Sequence, residues 1–372
     1  MRYRQGRFTT ESHMKARVGI ESITPYQGGK PIEEVQRELG LHDIVKLASN
    51  ENPLGPSPIA VEAMQLAIKQ VHLYPDGNGY YLKQDLSYHL GLKPDQLILG
   101  NGSNEVLQII GETFISPNDE VIYSESAFVV YQLVATICGA KSVVTPMQGY
   151  DQDIETMIAA ITERTKVIFI ANPNNPTGTM VTAAQVQTLM DYVPEHVLVV
   201  FDEAYGEYIN RVDYPQTLSY VQQARNVVIS RTFSKVYGLA GMRIGYGIAP
   251  PHLIELMNRV RQPFNCNLVA QAAAQAALSD LDYVEQSRKT NAQEKQKLYQ
   301  ALATLGVQYI PSEGNFIMLN LNQSGEAVAQ QLLQQGIIVR PITGYGFPNS
   351  IRVTIGTHRQ NIRFIETLTT IL

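Results

Sequence analysis

Apolar runs of four to six residues alternate with longer segments whose apolar positions recur at helical spacing. Runs such as 165–170 and 197–201 are rich in β-branched residues, which predicts buried strands. The predicted strands cover residues 45–48, 96–99, 120–123, 141–145, 165–170, 197–201 and 226–229. The predicted helices cover residues 31–39, 59–71, 81–90, about 100–114, 128–138, 154–161, 181–192 and 250–261. This alternation favours an α/β fold with a large, doubly wound and mostly parallel sheet.

The pattern changes near residue 263, where the segment PFNCN interrupts the alternation and an alanine-rich helix begins near residue 268. Long helices then surround three predicted strands at 316–321, 337–340 and 352–355, a pattern typical of a smaller α+β domain. We therefore predict an N-terminal arm and part of the small domain in 1–45, a large ligand-binding domain in 46–262 and a small C-terminal domain in 263–372.

Composition narrows the class of protein. Of the 372 residues, 44% are hydrophobic and 17% charged, which is typical of a soluble globular protein. The net charge of −5 argues against a nucleic-acid or membrane-surface partner. Cys138 and Cys266 stand alone, so we expect no disulfide, no metal site and a reducing, cytoplasmic location. We see no signal-peptide core in residues 1–15, and no apolar run is long enough to span a membrane.

The segment 230–235 (SRTFSK) follows a predicted buried strand and combines hydroxyl groups with Lys235. A glycine-containing turn and Arg243 come next. Hydroxyls and a guanidinium suit a phosphate dianion, and a desolvated amine beside it suits a carbonyl compound, with which it forms a Schiff base. An isolated lysine is usually a solvated loop residue. The hydroxyls, the turn and the arginine on one element favour a ligand site instead.

Three further clusters lie at predicted strand ends or in the loops beyond them. The turn 100–105 opens a helix and offers backbone N–H groups to an anion. The segment 172–178 (NPNNPTG) is a turn by composition, and its Asn175 is a candidate donor to a bound ring. Asp202 and Tyr205 follow the strand 197–201, as an acidic residue does in P-loop ATPases, but the chain has no GxxxxGK[ST] motif. A carboxylate there suits a protonated pyridine nitrogen.

In this order, the four clusters resemble the motifs of the class I/II aminotransferases, fold-type I enzymes that depend on pyridoxal 5'-phosphate. The resemblance extends from about residue 23 to the C-terminus. It implies that Lys235 is the Schiff-base lysine, that Asp202 pairs with the pyridine nitrogen and that Tyr205 and Asn175 donate to the ring oxygen. It also implies stacking by Phe128 on the ring, where family members often have tyrosine or tryptophan. The implied phosphate ligands are Gly102, Ser103, Asn104, Thr232, Ser234, Arg243 and, from a neighbouring subunit, Tyr74.

Substrate choice depends on the small domain and the N-terminal region. The segments 24–27 (TPYQ), 46–53 (KLASNENP) and 340–346 (RPITGYG) resemble the histidinol-phosphate aminotransferases. This resemblance implies histidinol phosphate, glutamate and 2-oxoglutarate as substrates and a homodimer with shared active sites. It places Tyr26, Asn50, Arg340 and Arg352 at the substrate. Arg352 lies among apolar residues, and a buried guanidinium needs an anion.

Three alternatives remain open at the level of sequence. Relatives with similar motifs transaminate aromatic amino acids, and others decarboxylate threonine phosphate. A binding or regulatory module that retains the fold is a third alternative. That module would be expected to have lost Lys235 or Asp202 or to carry a DNA-binding helix pair, and neither feature is seen.

Overall fold

The structure, a computed structural model, describes residues 15–25 and 28–372. Within these ranges, no helix combines the length and apolar character needed to cross a membrane. The α-helices are α1 Ile32–Leu39, α2 Pro58–Ala67, α3 Tyr80–Leu90, α4 Ser103–Phe114, α5 Val130–Cys138, α6 Ile154–Ala159, α7 Ala183–Tyr192, α8 Leu218–Gln222, α9 Pro251–Val260, α10 Leu268–Ser279, α11 Leu281–Thr304, α12 Gly325–Gln334 and α13 His358–Ile371.

The strands form one large sheet, one smaller sheet and two short pairs. They are β1 Val45–Lys46, β2 Leu97–Gly100, β3 Glu120–Ser124, β4 Lys141–Thr145, β5 Met147–Gln148, β6 Asp151–Gln152, β7 Thr165–Ala171, β8 Leu198–Asp202, β9 Val227–Thr232, β10 Gly245–Ile248, β11 Gln308–Ile310, β12 Phe316–Asn320, β13 Ile337–Ile338, β14 Arg340–Pro341 and β15 Ser350–Thr354.

The large sheet has seven strands in the order β2-β10-β9-β8-β7-β3-β4. Its strands are parallel except for β10, which runs antiparallel to both of its neighbours. Alternate side chains of β8 enter different cores: Val199 and Phe201 join one buried cluster, whereas Leu198 and Val200 join the other. Both faces of the sheet are therefore covered, as the apolar runs predict for parallel strands between helices. The α/β fold with a mostly parallel sheet is confirmed.

The smaller sheet is antiparallel, in the order β11-β12-β15-β14. Its apolar side chains, among them Ile317 and Val353, share a core with Leu298 of α11 and Phe364 of α13. Helix α10 follows the predicted boundary at residue 263 and packs buried alanines such as Ala273 into a core of the large sheet. The division of the chain into domains stays a prediction.

Some predicted elements differ from the observed ones. The predicted strand 337–340 is two strands, because β13 pairs with β1 whereas β14 pairs with β15. The strand predicted at 45–48 is only Val45–Lys46 and pairs in parallel with Ile337–Ile338. The helix predicted from residue 128 begins at Val130.

Candidate active site

A cavity of about 250 Å³ opens where β7, β8 and β9 end at the carboxyl edge of the large sheet. Parallel strands in open α/β sheets bring their functional side chains together at this edge. The small sheet contributes Arg352 of β15, so the cavity lies between the two sheets. The predicted site residues that line it are Asn50, Ser103, Asn104, Phe128, Asn175, Asp202, Tyr205, Thr232, Ser234, Lys235, Arg243 and Arg352.

Lys235 lies three residues beyond the end of β9, and its amine faces this cavity. The Nζ atom donates to the carbonyl oxygen of Ser49 over 3.3 Å and lies 5.5 Å from the centre of the Tyr205 ring. Burial, with a contribution from Arg352, lowers the pKa of Lys235 to about 8. A substantial share of the amine is therefore neutral in mildly alkaline solution, the form that attacks a carbonyl carbon.

Asp202 is the last residue of β8 and is 6% exposed. Its Oδ2 atom accepts a hydrogen bond of 2.9 Å from the hydroxyl of Tyr131. Its Oδ1 atom is buried and has no hydrogen-bond partner among the described residues. Burial raises the pKa of this carboxyl to about 6, against the lowering effect of Tyr131. An unpartnered buried carboxylate oxygen beside a cavity is suited to a cationic N–H group of a ligand.

A set of hydroxyls and one guanidinium surrounds the start of α4. Gly102 precedes this helix with φ +82°, and a Cβ atom there would lie 2.3 Å from Nη2 of Arg243. Arg243 donates through Nη1 to Oγ of Ser234 over 3.3 Å, and Thr232 donates to the same oxygen over 3.0 Å. The helix start of Ser103, the hydroxyls and the guanidinium make this corner suitable for a phosphate group.

Arg352 connects the two sheets at the cavity. It is 7% exposed and donates through Nη1 to Oδ1 of Asn175 over 2.5 Å and through Nη2 to the carbonyl oxygen of Ala48 over 2.7 Å. Asn50 donates to the Tyr205 hydroxyl over 2.9 Å. Burial raises the pKa of Tyr205 to about 12, so the phenol keeps its proton at neutral pH.

Two of the predicted residues are placed elsewhere. Arg340 lines an adjoining cavity of about 640 Å³, which shares Phe128 with the first cavity. Tyr74 lies on the surface, 82% exposed, and stacks on Phe264 with ring centres 4.7 Å apart. Tyr26 lies outside the described residues.

Tyr131 is a site residue that the sequence analysis missed. It is fully buried on α5, its ring stacks on Phe169 at 4.7 Å, and its hydroxyl contacts Asp202. Its position three residues after Phe128 was the only local signal. No group of three or more His, Cys, Asp or Glu side chains arranged to hold a metal ion occurs in the described part of the chain.

Comparisons with known proteins agree with this geometry. The family model for aminotransferase class I and II matches residues 42–368. Histidinol-phosphate aminotransferase 1 of Nitrosococcus oceani is 50% identical over 357 residues, which cover 96% of both chains. Histidinol-phosphate aminotransferase of Moorella thermoacetica is 51% identical over 359 residues, which cover 96% of this chain and 93% of the relative.

A solved structure shows the same fold. The crystal structure of histidinol-phosphate aminotransferase from Sinorhizobium meliloti in complex with pyridoxal-5'-phosphate superposes with a TM-score of 0.88. The two sequences are 27% identical, and the match covers 98% of this chain and 100% of the other.

Proposed function

Because the chain belongs to the class I and II aminotransferases, we propose that it interconverts L-histidinol phosphate and 2-oxoglutarate with imidazole acetol phosphate and L-glutamate. The reaction is a step of histidine biosynthesis, and the cofactor is pyridoxal 5'-phosphate. The observation that carries the proposal is that Lys235, Asp202 and Arg352 line one cavity. We place the reaction in the cytoplasm, since Cys138 and Cys266 are free thiols that suit a reducing compartment.

The residues present suit this cofactor. Lys235 would hold it through its amine. Asp202 would receive its ring nitrogen at Oδ1, the buried oxygen that accepts no hydrogen bond from any described residue. Phe128 borders the cavity and would stack on the ring, with Asn175 and Tyr205 as donors to the ring oxygen. The cofactor phosphate would lie at the start of α4. The residues around it would be Gly102, Ser103, Asn104, Thr232, Ser234 and Arg243.

When bound, pyridoxal phosphate supplies a sink for the electrons of the substrate Cα–H bond. The carboxylate of Asp202 would keep a proton on the ring nitrogen, which would strengthen that sink. Once the substrate amine has displaced it from the cofactor, Lys235 would accept the Cα proton at Nζ and then give it back, so that one amine would act as base and then as acid. Burial lowers the pKa of Lys235 to about 8, and a base whose pKa lies near neutrality transfers protons efficiently.

The substrate phosphate is proposed to lie between two arginines. Arg340 and Arg352 are direct cross-strand partners on β14 and β15, so both side chains leave the same face of the small sheet. Histidinol phosphate carries a phosphorylated hydroxymethyl group where an amino acid carries its carboxylate. Two guanidinium groups suit a phosphate with two negative charges better than they suit a carboxylate with one. Tyr26 and Asn50 stay predicted substrate contacts.

A specific observation favours a second candidate substrate. Phe128, Tyr345 and Phe347 border the larger adjoining cavity. Aromatic walls pack well against any flat ring, so the side chain of phenylalanine would suit this cavity as well as an imidazole. An aromatic amino acid aminotransferase is therefore the alternative function.

We further propose a homodimer in which Tyr74 serves the active site of the neighbouring subunit. The segment 66–74 exposes Leu66, Ile68, Val71 and Leu73, each between 58% and 60% accessible, beside Tyr74. Several large apolar side chains exposed within so short a segment are typical of a protein–protein interface. The residues that line the cavity around Lys235 do not include Tyr74, as expected if its hydroxyl reaches a different subunit.

A half-reaction compares the candidate substrates directly. The holoenzyme is mixed with histidinol phosphate, phenylalanine or threonine phosphate without a keto acid, and the change in the cofactor spectrum is followed. We expect histidinol phosphate to react fastest and to yield imidazole acetol phosphate. Equal rates with phenylalanine would favour the aromatic alternative, release of carbon dioxide from threonine phosphate would favour a decarboxylase, and no reaction with any of them would contradict a catalytic role.

A further inference from the structure

Asn50 has an unusual conformation at the junction of the two sheets. Its φ of +54° lies in the left-handed region, which asparagine enters more readily than most residues with a side chain. It is 1% exposed, and its carbonyl oxygen accepts from Nδ2 of Asn315 over 3.0 Å. Its backbone N–H donates to Oγ1 of Thr354 on β15 over 2.9 Å. Thr354 of the small sheet and Asn315, the residue before β12, therefore hold this residue from two directions.

The hydroxyl of Thr354 determines which way the Asn50 amide faces. Because Oγ1 accepts the backbone N–H of Asn50, its own proton is available to Oδ1 of Asn50, 3.3 Å away. With Oδ1 engaged there, Nδ2 faces the Tyr205 hydroxyl at 2.9 Å. An amide nitrogen only donates, so the phenolic oxygen is the acceptor of this bond. The proton of Tyr205 must then point away from Asn50.

We infer that Asn50 is a positioning residue that directs the Tyr205 proton into the cofactor cavity. This inference rests on the cofactor role of Tyr205 proposed above. Accepting a hydrogen bond also polarises the phenol and makes it a stronger donor, because hydrogen bonds in a chain reinforce one another. Thr354, Asn50 and Tyr205 thus form a directed chain from the small sheet to the cavity, where the Tyr205 proton would meet the ring oxygen of the cofactor.

The groups that act on the Tyr205 phenol come from several elements. Arg352 of β15 and the amide of Asn50 favour its ionised form, whereas Asp202 of β8 and Tyr345 disfavour it. Lys235 faces its ring from the turn after β9. Asn50 differs from the charged members of this set because it is neutral. A change at Asn50 therefore alters the direction of a proton without altering the charge of the site.

The matched variant is Asn50→Gly, since glycine adopts a positive φ without strain and keeps both backbone hydrogen bonds. The readout is the midpoint pH of the visible absorption band of the holoenzyme. A hydrogen bond donated to the ring oxygen of the cofactor draws electron density from that oxygen. The titrating proton beside the oxygen is then held less strongly, and the midpoint pH of the band falls. We expect the midpoint to rise by about 0.3 to 0.5 pH unit in Asn50→Gly and by roughly one unit in Tyr205→Phe.

The double variant separates positioning from a general structural effect. In Tyr205→Phe there is no phenolic proton to direct, so adding Asn50→Gly should shift the midpoint no further. An equal shift in both backgrounds, or no shift in Asn50→Gly alone, would overturn the inference. Thr354→Val removes the hydroxyl that orients the amide and should raise the midpoint by a smaller amount. If Asn50→Gly does not fold, Thr354→Val takes its place as the test variant. An unchanged midpoint pH in Thr354→Val would also overturn the inference.

The failure of the proposed function has a different signature. A wild-type protein that shows no visible band with pyridoxal phosphate would overturn both the proposed function and this inference. A wild-type band that titrates normally, together with Asn50 variants that leave its midpoint unchanged, would overturn this inference alone.

Discussion

The hydroxyl of Tyr131 lies 2.9 Å from Oδ2 of Asp202, and both side chains are buried beneath the cavity. Tyr131 is held in place by stacking on Phe169 and by an edge contact to Phe128 at 6.0 Å. The hydrogen bond fixes the rotation of the carboxyl group and leaves Oδ1 for a ligand. It also lowers the pKa of a carboxyl group that burial alone would raise further. The aromatic cluster therefore controls the charge of the group proposed to hold the cofactor nitrogen.

We predict that Tyr131→Phe weakens cofactor binding more at pH 6 than at pH 8. Loss of the donor raises the pKa of Asp202 above its value of about 6, so a larger share of the carboxyl is protonated at pH 6, and the difference from the wild type shrinks as the pH rises. The expected loss in affinity at pH 6 is about tenfold, the size of one hydrogen bond to a charged group. Equilibrium titration of the apoenzyme with pyridoxal phosphate measures it.

Tyr123→Phe is the matched control. The Tyr123 ring lies 6.4 Å from the Tyr131 ring, but the hydrogen bond to Asp202 comes from Tyr131. The control should bind the cofactor as the wild type does at both pH values. A pH-independent loss in Tyr131→Phe would show that its hydroxyl acts on packing rather than on the charge of Asp202.

We predict that Gly102→Ala weakens binding of the cofactor phosphate. The new Cβ atom would lie 2.3 Å from Nη2 of Arg243 and would sit on a backbone with φ +82°. The guanidinium must move away, and the loss of its charged hydrogen bonds should reduce affinity by roughly 10- to 100-fold. Gly241→Ala is the control, because a Cβ atom there meets nothing within 4 Å. Equal affinities for the two variants would exclude Gly102 and Arg243 from the phosphate site.

We predict that Arg340→Ala impairs the reaction of histidinol phosphate but not that of phenylalanine. The variant removes one of two charges proposed for the substrate phosphate, so kcat/KM for histidinol phosphate should fall by roughly 10- to 100-fold. Arg340→Lys keeps the charge and should lose less. If phenylalanine loses as much as histidinol phosphate, Arg340 does not recognise the phosphate.

A mixed dimer tests the proposed role of Tyr74. One subunit carries Lys235→Ala and the other Tyr74→Phe, a change that keeps the ring stacked on Phe264. If the Tyr74 hydroxyl serves the neighbouring site, one site of the mixed dimer has both intact groups and binds the cofactor with wild-type affinity. If Tyr74 serves its own subunit, neither site of the mixed dimer has both groups intact. Cofactor binding then weakens by about tenfold, as expected for the loss of one charged hydrogen bond.

Residues at the ends of apolar strands were predictable from the sequence. Asp202 follows four apolar residues of β8, and Lys235 follows β9 within a few positions, so local pattern was enough to place both at the carboxyl edge. The strand β10 gave no such signal, because Gly245–Ile248 contains two glycines and is a strand through its two neighbours. Local propensity is weak where partners on both sides supply the hydrogen bonds.

Contacts between residues far apart in the chain could not be predicted from the local sequence pattern. The bond from Tyr131 to Asp202 joins positions 71 residues apart, and the bond from Asn50 to Tyr205 joins positions 155 apart. The segment 337–340 reads as one strand because its apolar run is continuous, yet its two halves pair with different partners. Which partner a short strand takes depends on the packing of the whole domain.

The most direct test of the account is the absorption spectrum of Lys235→Ala reconstituted with pyridoxal phosphate. Lys289→Ala, a surface variant of a lysine whose side chain is 67% exposed, is the control. The account predicts that wild type and control share a visible band, and that Lys235→Ala lacks it and loses transaminase activity by roughly a thousandfold or more. A Lys235→Ala protein that keeps both the wild-type band and wild-type turnover would contradict it.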